Sequence, residues 1–174
     1  MEKTRGWTGV LIEPSKKGYE LCLQNRPNSI CFNYACVSNE YSGDSVEGDF
    51  ENNNNSLMAS INGERLRSSA LSRVRAITLE KILDSSLTSS QNIDFLSLDT
   101  EGYELNILKG LNLDKYRPNY LLIEVYTKDY DEIIAFLREK NYSLSSNFSN
   151  YSFLTNPHWD GTHNDYLFTD NMLS

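Results

Sequence analysis

The segment Asn92 to Leu111, NIDFLSLDTEGYELNILKGL, limits the possible folds more than any other part of the chain. Ile93, Phe95, Leu96 and Leu98 form a short apolar run, which predicts a buried strand that stops on Asp99. Thr100, Glu101 and Gly102 come next, and Leu105, Ile107, Leu108 and Leu111 then recur at helical spacing. A strand, a carboxylate, a tight turn and an immediate helix is how open α/β sheets bring polar groups to a ligand at the carboxyl edge of their strands. Asp99 is therefore the first candidate site residue, with a helix-capping role as the structural alternative.

The same order of elements occurs earlier. Gly9-Val10-Leu11-Ile12 predicts a strand that ends on Glu13 and Pro14, since proline cannot continue a central ladder. Ser15 then caps a helix through Tyr19, Leu21, Cys22 and Leu23, and Asn25 to Asn28 stop it. Ser29 to Val37 is rich in β-formers and predicts one further strand. Residues 39–73 are polar and turn-rich, which predicts an excursion of one or two antiparallel strands with an Asn-rich tip at Asn52 to Asn55.

Val74 to Thr78 predicts a short strand, with a helix from Leu79 that ends before Ser85. Past the opening segment, Tyr120 to Val125 is an apolar strand interrupted only by Glu124, an acid that is costly there unless it is paired or faces a ligand. Asp129 to Lys140 places Ile133, Ile134, Phe136 and Leu137 on one helical face. Strands at Tyr142 to Leu144 and Asp165 to Thr169 close the chain, with His158 and His163 in the loop between them. Strand-to-helix units followed by late strands predict a single α/β domain over residues 1–174, with a mainly parallel sheet and antiparallel late strands.

Composition narrows the partners. The formal charge of −8 and the absence of a basic cluster argue against a nucleic-acid backbone. No apolar run is long enough to span a membrane, and the polar start MEKTRGWTG is unlike a signal peptide, so a cytoplasmic location is expected. Cys22, Cys31 and Cys36 are odd in number and form no C-x-x-C pair, so buried reduced thiols are expected.

Asp94 to Glu104 followed by Leu108-Lys109-Gly110-Leu111 resembles the D-x-E-G-x-E-x-x-x-L-x-G signature of FkbM-family methyltransferases. Gly6 to Pro14, the strand Leu121 to Val125 and the ending Asn164-Asp165-Tyr166-Leu167-Phe168 resemble the same family, in the same order. The resemblance implies a Rossmann-like enzyme that uses S-adenosylmethionine to methylate a hydroxyl of a carbohydrate or secondary metabolite. Carried over by residue, Glu13 beside Pro14 would hold the ribose hydroxyls. Ala35, Cys36 and Ser38 would border the adenine. Asp99 would lie by the methionine portion or the acceptor hydroxyl, Glu101 and Gly102 would shape the turn, and Glu124 would face the acceptor.

The family's first strand and its glycine-rich V-D-x-G-A-x-x-G turn would precede Gly6, and no such segment is in this chain. Its place lies between the strands that end at Glu13 and Asp99, so two apolar edges are expected to be open, and a second copy of the chain could cover one. A non-catalytic remnant or interaction module is the rival expectation, and a nucleotide-sugar or dinucleotide binder a third. For catalysis by Asp99, Glu124 or a histidine, His163 or His158 suits a general base near neutral pH. A divalent metal on Asp99, Glu124 and a neighbour is compatible with the sequence, though no ligand spacing demands it. Trp159 and Tyr151, in a loop, could stack on a sugar ring.

Overall fold

A computed structural model describes residues 2–50, 71–88 and 92–173, so the Asn-rich tip lies outside the described residues. The chain forms two compact units, Met1–Ser89 with Asn106–Leu111, and Ser90–Leu105 with Asn112–Ser174.

The first unit opens with α1 (Glu2–Arg5) and β1 (Val10–Ile12), and Glu13 follows the strand. The Ser15 hydroxyl accepts from Gly18 N at 3.2 Å and starts α2 (Lys16–Asn25), as its capping chemistry predicts. The stretch expected as one strand divides in two. β2 (Ile30–Phe32) pairs in parallel with β1, whereas β3 (Ala35–Val37) pairs in parallel with another strand. Asn33 causes the division: its amide nitrogen donates to the carbonyls of Glu13 and Pro14, both at 2.9 Å, and so pins the chain where it leaves one ladder for the next.

β3 lies beside β5 (Ser72–Thr78), and β5 runs antiparallel to β4 (Ser45–Gly48), a strand in the described part of the polar excursion. Thr78 caps α3 (Leu79–Ser86) through its hydroxyl. The core of this unit includes Ala35, Val37, Phe50, Ile82 and Leu108, all under 5% exposed. Gly110 fits only because it lacks a side chain, since a Cβ there would stand 2.1 Å from the Val37 carbonyl oxygen. Cys36 is buried as expected, but Cys22, on the helix α2 that buries none of its residues, and Cys31 on β2 are only half-buried; all three thiols are reduced.

The second unit carries β6 (Phe95–Leu98), the start of α4 (Glu104–Lys109), β7 (Tyr120–Tyr126), α5 (Tyr130–Glu139), β8 (Tyr142–Asn147) and β9 (His163–Asp170). Its sheet has the order β6-β7-β9-β8. β6 is parallel to β7, while β9 inserts antiparallel between β7 and β8. Leu121 and Ile123 on one face of β7 and Ile133 and Leu137 of α5 are fully buried, each contributing about 2 kcal/mol by its removal from water. Arg117 closes this unit: its guanidinium grips Asp170 through Nε and Nη2, donates to the carbonyls of Leu113 and Lys140, and lies 5.1 Å over the Tyr142 ring.

Three of the described pairings are parallel and three antiparallel, so in place of the expected mainly parallel sheet the described strands form three sheets with both kinds of pairing among them. The late strand β9 accounts for two of the antiparallel pairings and the polar excursion for the third. Among the described residues no helix is long and apolar enough to cross a membrane.

Candidate functional site

The register of β6 on β7 creates the site. Leu98 is partnered by Ile123, so the next residues along the two parallel strands are Asp99 and Glu124, side by side near the carboxyl ends. Two acids placed 25 positions apart in sequence are thereby made neighbours by a single ladder.

After Asp99 the chain turns sharply. Glu101 has a φ of 57° and Gly102 a φ of 97°, both in the left-handed region. For glycine this is free, but for a glutamate it costs about 1–2 kcal/mol. The turn is held from below by Glu104, the first residue of α4 and 1% exposed, whose Oε1 accepts from Thr100 N at 2.8 Å, Thr100 Oγ1 at 2.9 Å and Gly102 N at 3.2 Å. Burial pushes the Glu104 carboxyl above its ordinary range, and the bonds from Thr100 and Gly102 pull against that. Glu101 is held from the side: the buried Tyr126 hydroxyl donates to its Oε2 at 2.8 Å.

The result is a cluster of carboxylates. One oxygen from each of Asp99, Glu101 and Glu124 lies within 4.8 Å of the others, with Asp99 exposed and the two glutamates buried. Two negative charges at that distance repel by about 3 kcal/mol even at an effective dielectric constant near 20, so the group is suited to receiving positive charge. An all-oxygen set of this kind could hold a hard divalent cation, and Glu101 is then the neighbour that the sequence left unnamed.

His163 also reaches the cluster. The structure corrects its expected position: it is the first residue of β9 rather than part of the preceding loop, because the β7 ladder extends to the pair Tyr126 and His163. Its Nε2 stands 3.3 Å from Glu124 Oε1, and its ring centroid is 5.4 Å from that of Tyr126. Trp159 is half-buried. It packs against Phe153 at 5.3 Å between centroids and donates from Nε1 to the His163 carbonyl at 2.7 Å. Tyr151 and His158 are exposed, and the backbone of each is held by an asparagine side chain.

The other sequence-predicted residues lie in the first unit. Glu13 follows β1, and its Oε1 accepts from Ser15 N at 2.8 Å. A Cβ on Gly18 would meet the Glu13 carboxyl carbon at 2.7 Å, so glycine makes room for this side chain. Burial raises the Glu13 carboxyl, with the Ser15 bond opposing. Pro14 and Ser38 are half-buried. Ala35 and Cys36 are buried, and burial pushes the Cys36 thiol up to about 12. Sequence reasoning missed Tyr126 and Glu104. The signal for Tyr126 was its position at the end of the strand that carries Glu124, and for Glu104 its place at the first turn of a helix after a glycine.

No curated protein and no solved structure gives a match to this sequence. The family model of the methyltransferase FkbM domain matches residues 1–144, a span that includes Glu13, Asp99, Glu101, Gly102 and Glu124 and stops short of His163. With that match over most of its length, the chain belongs to the FkbM methyltransferase family.

Proposed function

We propose that this protein is an S-adenosylmethionine-dependent O-methyltransferase acting on a hydroxyl of a carbohydrate or secondary metabolite. The observation that carries the proposal is the convergence of Asp99, Glu101, Glu124 and His163 at the carboxyl ends of β6 and β7 in a chain of this family. S-adenosylmethionine, when bound, supplies an electrophilic methyl group. What remains for the protein is to align the acceptor hydroxyl and remove its proton.

The charge pattern suits that task. Asp99 is the exposed member of the cluster and is assigned to orient the acceptor hydroxyl, while Glu124 with His163 behind it is assigned to take the proton. Glu101 and Gly102 give the turn its shape. The ribose diol is assigned to Glu13, whose Oε1 is engaged with Ser15 N and whose second oxygen is the one that would receive a hydroxyl. The adenine is assigned to the backbone from Ala35 to Ser38.

Calorimetric titration with S-adenosylhomocysteine tests this reading. Binding in the micromolar range that is lost in Glu13→Ala supports the enzyme. A folded sample that binds nothing overturns it in favour of a non-catalytic methyltransferase-like module. Repeating the titration with and without magnesium or manganese decides whether the carboxylate cluster takes a divalent cation.

A further inference from the structure

The carboxyl end of β7 carries a second feature, on the sheet face away from Glu124. Successive side chains of a strand point to opposite faces, so Val125 and its ladder partner Asn164 lie on the face opposite Glu124, Tyr126 and His163. Val125, Asn164 and Tyr166 line an open recess of about 260 Å³ there, together with Thr127, Tyr130 and Asp131 where the chain passes from β7 into α5. That is just under the roughly 300 Å³ at which sites for drug-sized ligands begin, and it suits a single ring. The walls are fixed. Asn164, 8% exposed, accepts from Ser149 Oγ at 3.0 Å and Tyr151 N at 2.7 Å, and Thr127 Oγ1 donates to the Thr162 carbonyl at 3.1 Å.

The polar ends of three lining residues are unused by the protein. Tyr130 and Tyr166 are half-buried, and their rings meet at 5.2 Å between centroids and 60° between planes. Among the described residues, neither phenol hydroxyl nor the Asp131 carboxylate has a hydrogen-bond or ion-pair partner. Two phenols that donate or accept, a carboxylate that accepts, and aromatic surface match a saccharide, whose ring has hydroxyls on its rim and C–H groups on its faces. No lysine or arginine lines the recess, which disfavours a phosphate or a carboxylate as ligand. The edge of one tyrosine sits against the other, so the pair does not present the two open faces that would enclose an ammonium.

We infer that this recess is a saccharide subsite for one uncharged pyranose ring, with Asp131 accepting from its hydroxyls and Tyr130 and Tyr166 supplying apolar contact and hydroxyl partners. Its purpose, though not its binding chemistry, rests on the proposed methyl transfer. Because the recess lies on the face opposite Glu124, the ring it holds is not the one methylated but a neighbouring unit of the acceptor. The acceptor is then a carbohydrate of two or more units.

Titration of the nitrogen-15-labelled intact protein with the methyl glycosides of glucose, galactose, mannose and N-acetylglucosamine, and with choline as the contrasting probe, tests this by heteronuclear NMR. At least one glycoside is expected to bind in the millimolar range and to shift the amides of Tyr130, Asp131 and Tyr166. Asp131→Ala, at an exposed position in the first turn of α5, should weaken that binding about 10-fold, and Tyr166→Phe, which keeps the ring, about 3-fold. No saturable shift with any of the four glycosides, an affinity that both variants leave unchanged, or saturable binding of choline alone would each overturn the inference. Protein that binds a glycoside in the recess but no S-adenosylhomocysteine would keep the subsite and remove the proposed methyl transfer. Protein that binds S-adenosylhomocysteine and no glycoside would keep the proposed enzyme and remove the subsite.

Discussion

Replacing Glu101 by alanine and, separately, by glycine measures the backbone cost hidden in the acidic turn. Both changes delete the carboxylate, remove the acceptor of the Tyr126 hydrogen bond and relieve the repulsion within the cluster. The loss of the buried bond costs about 1–3 kcal/mol and the relieved repulsion works in the opposite direction, so neither variant alone is informative. Their difference is. Every side-chain contribution beyond Cβ cancels between them, and what remains is the price of holding a residue at a φ of 57°.

Glycine adopts that angle without strain, while alanine does not, and the glycine variant should be more stable by about 1 kcal/mol after allowing for glycine's freedom in the unfolded chain. In a chain of this length that corresponds to roughly 2–4 °C in Tm. Urea unfolding followed by circular dichroism, with equal m-values for the two variants, gives the free-energy difference directly. An alanine variant as stable as the glycine variant would show that the left-handed turn is not imposed by its surroundings. Methyl transfer should be lost in both, which would mark Glu101 as a residue kept against the interest of stability.

Two more outcomes follow from the close contacts. Gly110→Ala places a Cβ 2.1 Å from the Val37 carbonyl oxygen and 3.1 Å from its carbon, and backbone cannot swing aside as a side chain can. A loss of about 3 kcal/mol, or roughly 6–12 °C in Tm by scanning calorimetry, is expected, and an unchanged Tm would contradict the close packing. The Arg117 guanidinium bonded to Asp170 holds that carboxyl below its ordinary value. A depressed carboxyl contributes stability above its unfolded-state pKa of about 3.9 and loses it as the pH falls through the lower folded value. Arg117→Met should therefore cost about 2 kcal/mol at neutral pH, the partly solvated arginine keeping the figure modest, and the gap to wild type in Tm should narrow on acidification towards pH ~3. A gap that widens instead would mean that the pair does not stabilise the fold.

How much of this was legible beforehand differs by level. The strand, acid, turn and helix around Asp99 could be read directly, because apolar runs, a glycine and helical spacing are local signals, and Ser15 caps its helix as its chemistry suggests. The division of Ser29 to Val37 could not. It depends on the Asn33 side chain finding two carbonyls some 20 residues earlier, a contact with no local signature. Asp99 and Glu124 were each singled out as strand-end acids, yet that they are neighbours follows from a ladder register that no single strand reveals. Glu101 appeared as a turn residue rather than a member of the acid cluster, because the left-handed angle that brings its carboxylate inward belongs to the folded backbone. His163 was seen as a possible base but assigned to a loop, since Thr162 and Gly161 before it suggest a turn more strongly than Asn164 suggests a strand.

The place of β9 in its sheet bears on how the chain is born. It is the last described strand to be synthesised, yet it lies between β7 and β8, which are made before it. Until it emerges, neither strand has a neighbour on that side, and the Arg117 side chain has no Asp170 to grip. Pairings that join Tyr120 to Thr169 and Tyr142 to Asp170 are distant in sequence, and such closures are slow. The unfinished sheet therefore presents two open ladders to the cell during every round of synthesis, a period of exposure in which chaperone capture or a mispaired strand competes with the arrival of His163.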